Sequence, residues 1–345
     1  MTFVSNGASS ESDSQANSED NAESSFRSSP KGWLRLVLHA RQYAVWASFV
    51  AVFVLFTILE PERFFAADNF RNILSSSSLT VIVAAGITVP LVMNDFDLSP
   101  VGNVAFSGAL AAALQANYGW PWELAVLTAL LAGLLVGVLN GFLVAGLRAS
   151  SFVITLATSS VLVGLGTAVQ RSKTIYTGFE EGYLKLGQSE FFGFRSPVLF
   201  AAGLVLILHV WMGHTVSGRR MLAVGENQSA AMVGGMRVIS LRMVGLVTSG
   251  VIAALAGVLI FSRAGQTYVN AGAPLLLPAF AAVFLGSALS GGGRFTVAGT
   301  AVAAVLLQMV STGLVINQVP RWSSDVFSGG VLALAILLAP RESRY

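Results

Sequence analysis

Two carboxylates stand close together at Asp95 and Asp97, within Asn94-Asp95-Phe96-Asp97-Leu98-Ser99-Pro100. Residues two apart do not share a helix face, and Pro100 followed by Gly102 argues for a break there. An acid at the bilayer centre costs about 2.5–3.5 kcal/mol. Both acids are therefore expected at an interface or beside a hydrated cavity. Two readings stay open. In one, Asn94, Asp95, Asp97, Ser99 and Asn103 line a solute path or gate. In the other, the segment is a cytoplasmic turn in which Asp97 or Ser99 caps the next helix. A carrier driven by an ion gradient would use Asp95 or Asp97 as its coupling acid.

A second group of polar residues lies inside apolar runs: Thr155, Thr158, Ser159, Ser160, Gln170, Gln308, Ser311, Thr312 and Asn317. They can hydrogen-bond a neutral polyol, or join helices at about 0.6 kcal/mol per contact. Serine and threonine more often join helices, although Thr155 and Ser159 stay among the path candidates. Gln308 and Asn317 are the better pore candidates. Apart from Arg148 and Arg263 near span ends, no basic residue lies in a run, which argues against a strongly anionic substrate at mid-membrane. A third site of interest is Thr215 to Arg242, with basic flanks. There Asn227 can cap a short helix, Gln228 to Val233 can wind it, and Gly234-Gly235 can stop it. That segment reads as a docking helix for a motor subunit or as a basic cytoplasmic anchor.

Catalytic patterns are missing. The chain has no cysteine, and its three lysines, Lys31, Lys173 and Lys185, are not preceded by glycine, so no phosphate-binding loop is present. His39, His209 and His214 form no zinc helix, and no nucleophile elbow occurs. No enzyme activity, cofactor, metal site or nucleic-acid partner is expected.

These residues sit in a strongly apolar chain. Of 345 residues, 54% are hydrophobic and 11% charged, and mean hydropathy is +0.71. Soluble domains carry about 25% charge, so this is an all-α polytopic membrane protein. Residues 1–29 hold ten serines, five acids and one arginine, and are expected to be a disordered cytoplasmic tail. Residues 30–42 form a basic juxtamembrane segment, 43–340 the transmembrane domain with a cytoplasmic loop at 215–242, and 341–345 a short tail.

A span takes about 20 apolar residues. Ten runs qualify: Tyr43–Leu59, Ile73–Met93, Val101–Ala116, Trp122–Leu147, Phe152–Val169, Pro197–Met212, Met243–Phe261, Leu275–Leu289, Phe295–Ile316 and Trp322–Ala339. The third, sixth and eighth are short and are candidates for broken or re-entrant segments. Gly133, Gly137 and Gly141 repeat at helical spacing, a signature of close packing. With both ends cytoplasmic, twelve of the twenty basic residues face inward. The positive remainder of the chain suits contact with anionic membrane lipid. Ten spans divide into five and five, which predicts an inverted repeat with the path between halves.

Four stretches resemble the membrane permease family of ribose-type sugar ABC importers. They are Phe96-Asp97-Leu98-Ser99 with Phe106 to Ala109; Val138 to Gly141 with Phe152 to Thr158; Gly218 to Asn227 with Ala230-Ala231 and Gly234-Gly235; and Gly250 to Gly257 with Phe280 to Gly286 and Gly299-Thr300. The resemblance covers roughly residues 70–340. It implies a cytoplasmic ABC ATPase pair, a periplasmic sugar-binding protein, a second permease copy or paralogue, and a bacterial inner membrane. It also marks Gly218, Arg219, Arg220, Gly225, Glu226, Asn227, Ala230, Ala231 and Gly234 as the ATPase-coupling loop. The sequence departs from the family pattern at Pro100-Val101-Gly102, at the extra acid Asp95, and at Leu276 to Ala279, where many relatives carry an acid pair. The implied function is import of a neutral monosaccharide or polyol. A branched-chain amino acid permease and an ion-coupled carrier are the alternatives.

Overall fold

The computed structural model describes Ala47 and residues 50–290, 293–320 and 322–338. The expected N-terminal tail, the basic segment and the C-terminal tail lie outside the described residues.

Each apolar run contains a helix. They are α1 (Val50–Leu59), α3 (Ala67–Leu91), α4 (Pro100–Tyr118), α5 (Trp122–Gly141), α6 (Ser151–Val169), α8 (Ser196–His214), α11 (Val238–Ala264), α12 (Ala273–Leu289), α13 (Val297–Ile316) and α14 (Trp322–Leu338). Among the described residues six are long and apolar enough to cross a membrane by length and composition, counting α5 with the π-helical turn Phe142–Gly146 that extends it. Between these lie α2 (Pro61–Phe64), α7 (Glu181–Gln188), a two-stranded hairpin (β1, Glu190–Phe191; β2, Phe194–Arg195), α9 (Val216–Glu226) and α10 (Gln228–Val233).

The third, sixth and eighth runs correct the expectation of broken segments. Each is one continuous helix, of 19, 19 and 17 residues. Pro100, Pro197 and Pro274 sit in first turns, where a missing N–H costs nothing. Among these three helices only α12 holds a proline in its interior, Pro278, and it runs through it. The loop boundary also changes, because α11 starts at Val238 and carries Arg242 inside the helix.

Two helices form the centre. The apolar window of α3 is 89% buried and that of α11 72%, against 22% for α6. α11 packs on α3, α4 and α5; α3 packs on α8, α11, α12 and α13. The pairing is duplicated: α4 lies against α5 and α6 as α12 lies against α13 and α14. In lipid there is no hydrophobic force between helices, so close backbone approach must supply the attraction. Gly133 and Gly137 do this on α5. A Cβ on Gly133 would lie 2.6 Å from Gly250 O, and one on Gly137 2.5 Å from Val247 Cα.

One end of the bundle gathers the α3–α4 turn, α9, α10 and, through its pair with Glu226, Arg294 before α13. The opposite end gathers α2, α7, the hairpin and the α11–α12 turn. There Tyr183 is fully buried against α11, its hydroxyl donating to Val258 O at 3.2 Å.

Candidate functional site

The turn from Val92 to Ser99 is built from its own sequence. Pro90 lies inside the last turn of α3, the Val92 N–H still bonds Thr88 O at 3.0 Å, and Asn94 then takes a left-handed φ of 63°. The Asp95 N–H then folds back onto Pro90 O at 3.1 Å. Pro100 opens α4 with its φ already helical.

Asp95 is 2% exposed and receives two bonds from the Arg242 guanidinium, 2.7 Å from Nε and 2.5 Å from Nη2. This fork-to-carboxylate geometry is the strong form of an ion pair. Asp97 has no exposed surface. Its Oδ1 accepts from the Ser99 N–H at 2.9 Å and the Ser99 hydroxyl at 2.6 Å. Its Oδ2 and the Ser249 hydroxyl are each buried without a partner. Burial pushes the Asp97 carboxyl above its ordinary range, and the nearby Ser249 and Ser99 hydroxyls oppose that rise.

A ladder of hydroxyls on α6 receives the free N–H groups of this segment. Ser151 Oγ accepts from Phe96 N at 3.2 Å, Thr155 Oγ1 from Leu98 N at 3.0 Å, and Ser159 Oγ from Gly102 N at 3.1 Å. Residues four apart on a helix stack along one face. The irregular backbone therefore finds acceptors at each step, as buried peptide groups require. Ser151 was not among the sequence candidates, although its four-residue spacing to Thr155 and Ser159 is visible. On α4, Asn103 donates to Gly250 O at 2.8 Å and accepts from the Ser107 hydroxyl at 2.7 Å.

Gln308 and Asn317 stand apart from this cluster, the first on α13 and the second at its C-terminal end. Gln308 Nε2 donates to the Thr312 hydroxyl at 3.3 Å, and Asn317 Nδ2 to Gly313 O at 2.9 Å. Asn140, absent from the candidates, is buried, with its Oδ1 accepting from Thr158 and its Nδ2 unpartnered.

The coupling-loop residues form two short helices rather than one. Thr215 caps α9 by accepting from Gly218 N at 3.2 Å, and Asn227 caps α10 by accepting from Ala230 N at 2.9 Å. Gly235, with φ 75°, follows α10. The α9 helix escaped the sequence reading because its length and glycines resemble a loop. Met221, Val224 and Ala231 face inward, while Arg219, Arg220, Ala230 and Met232 are exposed and Val233 is 90% exposed. Gly218 backs directly onto Trp211 O, leaving no room for a Cβ.

The end of α9 is locked to the acidic turn. Asn94 Nδ2 donates to Gly225 O at 2.9 Å, and a Cβ on Gly225 would collide with Val92 O. Glu226 pairs with Arg294 at 2.6 Å, tying the same point to the α12–α13 turn. Gly234 is exposed past α10. The end of α9 is thus joined to the turn that starts α4 by the Asn94–Gly225 hydrogen bond and the close Gly225–Val92 approach, and through that turn to α6 and α11.

The sequence profile of the family described as "Branched-chain amino acid transport system / permease component" matches residues 69–336. The chain belongs to this family. Among similar proteins is the ribose import permease of Haemophilus influenzae, 28% identical over 84% of this chain and 91% of that protein. The autoinducer 2 import system permease of Yersinia pseudotuberculosis is 30% identical over 87% of this chain and 84% of its own. A solved chain described as an inward-facing conformation of a metal-chelate type ABC transporter superposes with a TM-score of 0.49 at 12% identity, covering 87% of this chain and 99% of that one. The permease is a helical, multi-pass membrane protein, and the ribose and autoinducer 2 relatives are import permeases.

Proposed function

We propose that this permease is the membrane subunit of an ABC importer for a neutral monosaccharide or polyol. A periplasmic binding protein delivers the solute, a separate cytoplasmic ATPase supplies the energy, and a second permease copy or paralogue completes the pore. The observation that carries this reading is the α9–α10 pair. It presents Arg219, Arg220, Met232 and Val233 outward while Gly225 and Glu226 anchor it to the turns at Val92 and Arg294. A partner that pushes on α10 would move the starts of α4 and α13 together.

Ten spans with both termini cytoplasmic place α9 and α10 inside the bacterial cell. The duplicated packing of α3 to α6 and α11 to α14 supports an inverted repeat of five and five. Asn94, Asp95, Asp97, Ser99 and Asn103, with Thr155 and Ser159, act as the gate joint, and Gln308 and Asn317 line the path. The ribose and autoinducer 2 import permeases among the similar proteins favour a sugar-like solute over a branched-chain amino acid. The bidentate Arg242 partner of Asp95 weighs against an ion-coupling acid there.

Because the chain has no native cysteine, Val233→Cys provides a single cross-linking handle. It should trap the ATPase subunit in native membranes, and liposomes holding the whole complex should need ATP for uptake. If the purified chain alone concentrates a solute under an ion gradient, the proposal is wrong. Asp97→Asn and Gln308→Ala, each at normal expression, should lower uptake. Unchanged uptake would remove those residues from the gate and path.

A further inference from the structure

The end of the bundle that carries α9 and α10 holds more cations than its own acids satisfy. Arg219 and Arg220 on α9, Arg237 just before α11 and Arg148 in the α5–α6 turn are all exposed. Arg148 belongs to this end because Ser151, three residues on, accepts the Phe96 N–H of the acidic turn. Among the described residues, none of the four has a carboxylate partner. The acids there are already committed. Asp95 pairs with Arg242, Glu226 pairs with Arg294, and Asp97 is buried on Ser99.

The course of α1 shows where the preceding chain emerges. The Phe56 ring lies against Gly313 of α13, while Phe53 shares a cavity with Met309 and Val305. Traced backwards from Phe56 to Phe53, α1 therefore follows α13 from Gly313 toward Val297, the end beside Arg294. Val297 is about 15 Å beyond the level of Phe53, or roughly ten residues at the helical rise. That distance matches the start of the apolar run at Tyr43. Residues 1–42 thus emerge at the end that carries α9 and α10. The first 29 of them hold Glu11, Asp13, Glu19, Asp20 and Glu23 against Arg27 alone. Residues 30–42, if extended, reach about 40 Å, enough to cross about four helices packed 8–10 Å apart.

We propose that the acidic segment 11–23 docks on the exposed arginines around α9 and α10, and shields α10 until the ATPase subunit displaces it. An anionic membrane surface attracts basic segments and repels an acidic one, so the arginines of the bundle end are its counter-charge. Each exposed ion pair is weak, but the tether holds the acids at an effective concentration of about 1 mM. An intrinsic affinity of about 1 mM therefore half-fills the site. Met232 and Val233, both exposed, lie in the chain between Arg220 and Arg237, so a segment seated on those arginines covers them. The shielding rests on α10 being the ATPase contact, whereas the docking does not.

The test uses the full chain in nanodiscs, without the ATPase and then with it. The chain has no native cysteine, so Ser18→Cys with Ser229→Cys forms a single pair for a short bis-maleimide cross-linker. This pair should link, while Ser18→Cys with Tyr176→Cys, at the opposite end, should not. Glu11→Gln, Asp13→Asn, Glu19→Gln, Asp20→Asn and Glu23→Gln together should lower the linking about fivefold. Arg219→Gln, Arg220→Gln and Arg237→Gln together should do the same. The tail variant should also bind the ATPase about twofold more tightly, the factor that a half-filled competitor imposes. Both effects should fade near 0.5 M salt, where charges are screened beyond about 4 Å.

Equal linking to Ser229→Cys and Tyr176→Cys, or linking unchanged in both charge variants, would overturn the proposal. So would linking that falls with Lys31→Gln, Arg35→Gln and Arg41→Gln but not with the three bundle arginines, because the tail would then sit on its own neighbours. If the ATPase binds wild type and tail variant equally, the coupling role of α10 stands and the shielding is overturned. If linking occurs as expected and the ATPase binds neither chain, the docking stands and the coupling role fails. If the arginine variant fails to fold, the tail variant decides alone, since its changes lie outside the helix bundle.

Discussion

Arg242→Ala is the most informative perturbation of the acidic turn. Asp95 is 2% exposed, and both of its guanidinium bonds come from this one residue 147 positions away. Deleting Arg242 leaves a carboxylate walled off from water with no opposite charge. Removing one member of a buried pair costs about 3–5 kcal/mol. The reverse deletion is milder, because the Arg242 side chain is 17% exposed and its freed guanidinium can reach solvent. Asp95→Ala is therefore expected to cost about 1–3 kcal/mol. The double variant removes both charges, so its cost should fall below the sum of the singles by about 2 kcal/mol. Thermal unfolding of the purified permease in detergent, followed by tryptophan fluorescence, reads all three. At roughly 2 °C per kcal/mol for a large domain, Arg242→Ala lowers Tm by about 6–10 °C and Asp95→Ala by less. High salt should leave this ranking intact. The exposed Glu226–Arg294 pair, worth at most about 1 kcal/mol, should weaken with salt. Small, equal and additive shifts for the two single variants would refute the reasoning.

Three further substitutions test the turn's neighbours. Gly225→Ala drives a Cβ into Val92 O, so α9 must lift away. A stability loss of about 1–3 kcal/mol is expected, with faster protease cleavage in α9 as the readout. Thr155→Val strands the Leu98 N–H and should cost about 1–3 kcal/mol, while Thr155→Ser should restore most of the lost Tm. Asp97→Asn tests the buried carboxyl by pH. The folded protein holds this proton to higher pH than the unfolded chain, where the ordinary value is 3.8. Wild-type stability therefore falls as pH rises from that value through the raised one. The substituted amide cannot titrate, so Tm against pH should flatten in that window; an unchanged slope would show that Asp97 is not its source.

The positions of the helices were legible because a span needs only length and apolarity, which each run displays. Local chemistry was legible too. Asn227 before Gln228–Val233, with Gly234-Gly235 after, marks a capped helix, and the structure forms it there. Gly133, Gly137 and Gly141 announced a close helix contact, though not with which partner. What each span faces was not legible. Helices such as α5 and α8 are apolar all round, so no periodic polar face distinguishes protein from lipid.

By itself, then, the sequence determined that this chain crosses a membrane many times, lacks a Gly-Lys-Ser/Thr phosphate loop, and breaks at Asn94 to Pro100 between its second and third apolar runs. Only the tertiary structure decided that Asp95 answers to Arg242, that Ser151, Thr155 and Ser159 take up the broken backbone, and that Gly225 sits under Val92. The reason is one of range. Caps, turns and span lengths depend on residues a few positions apart. A buried charge or an orphaned N–H is satisfied by whichever distant helix packing brings within hydrogen-bond reach.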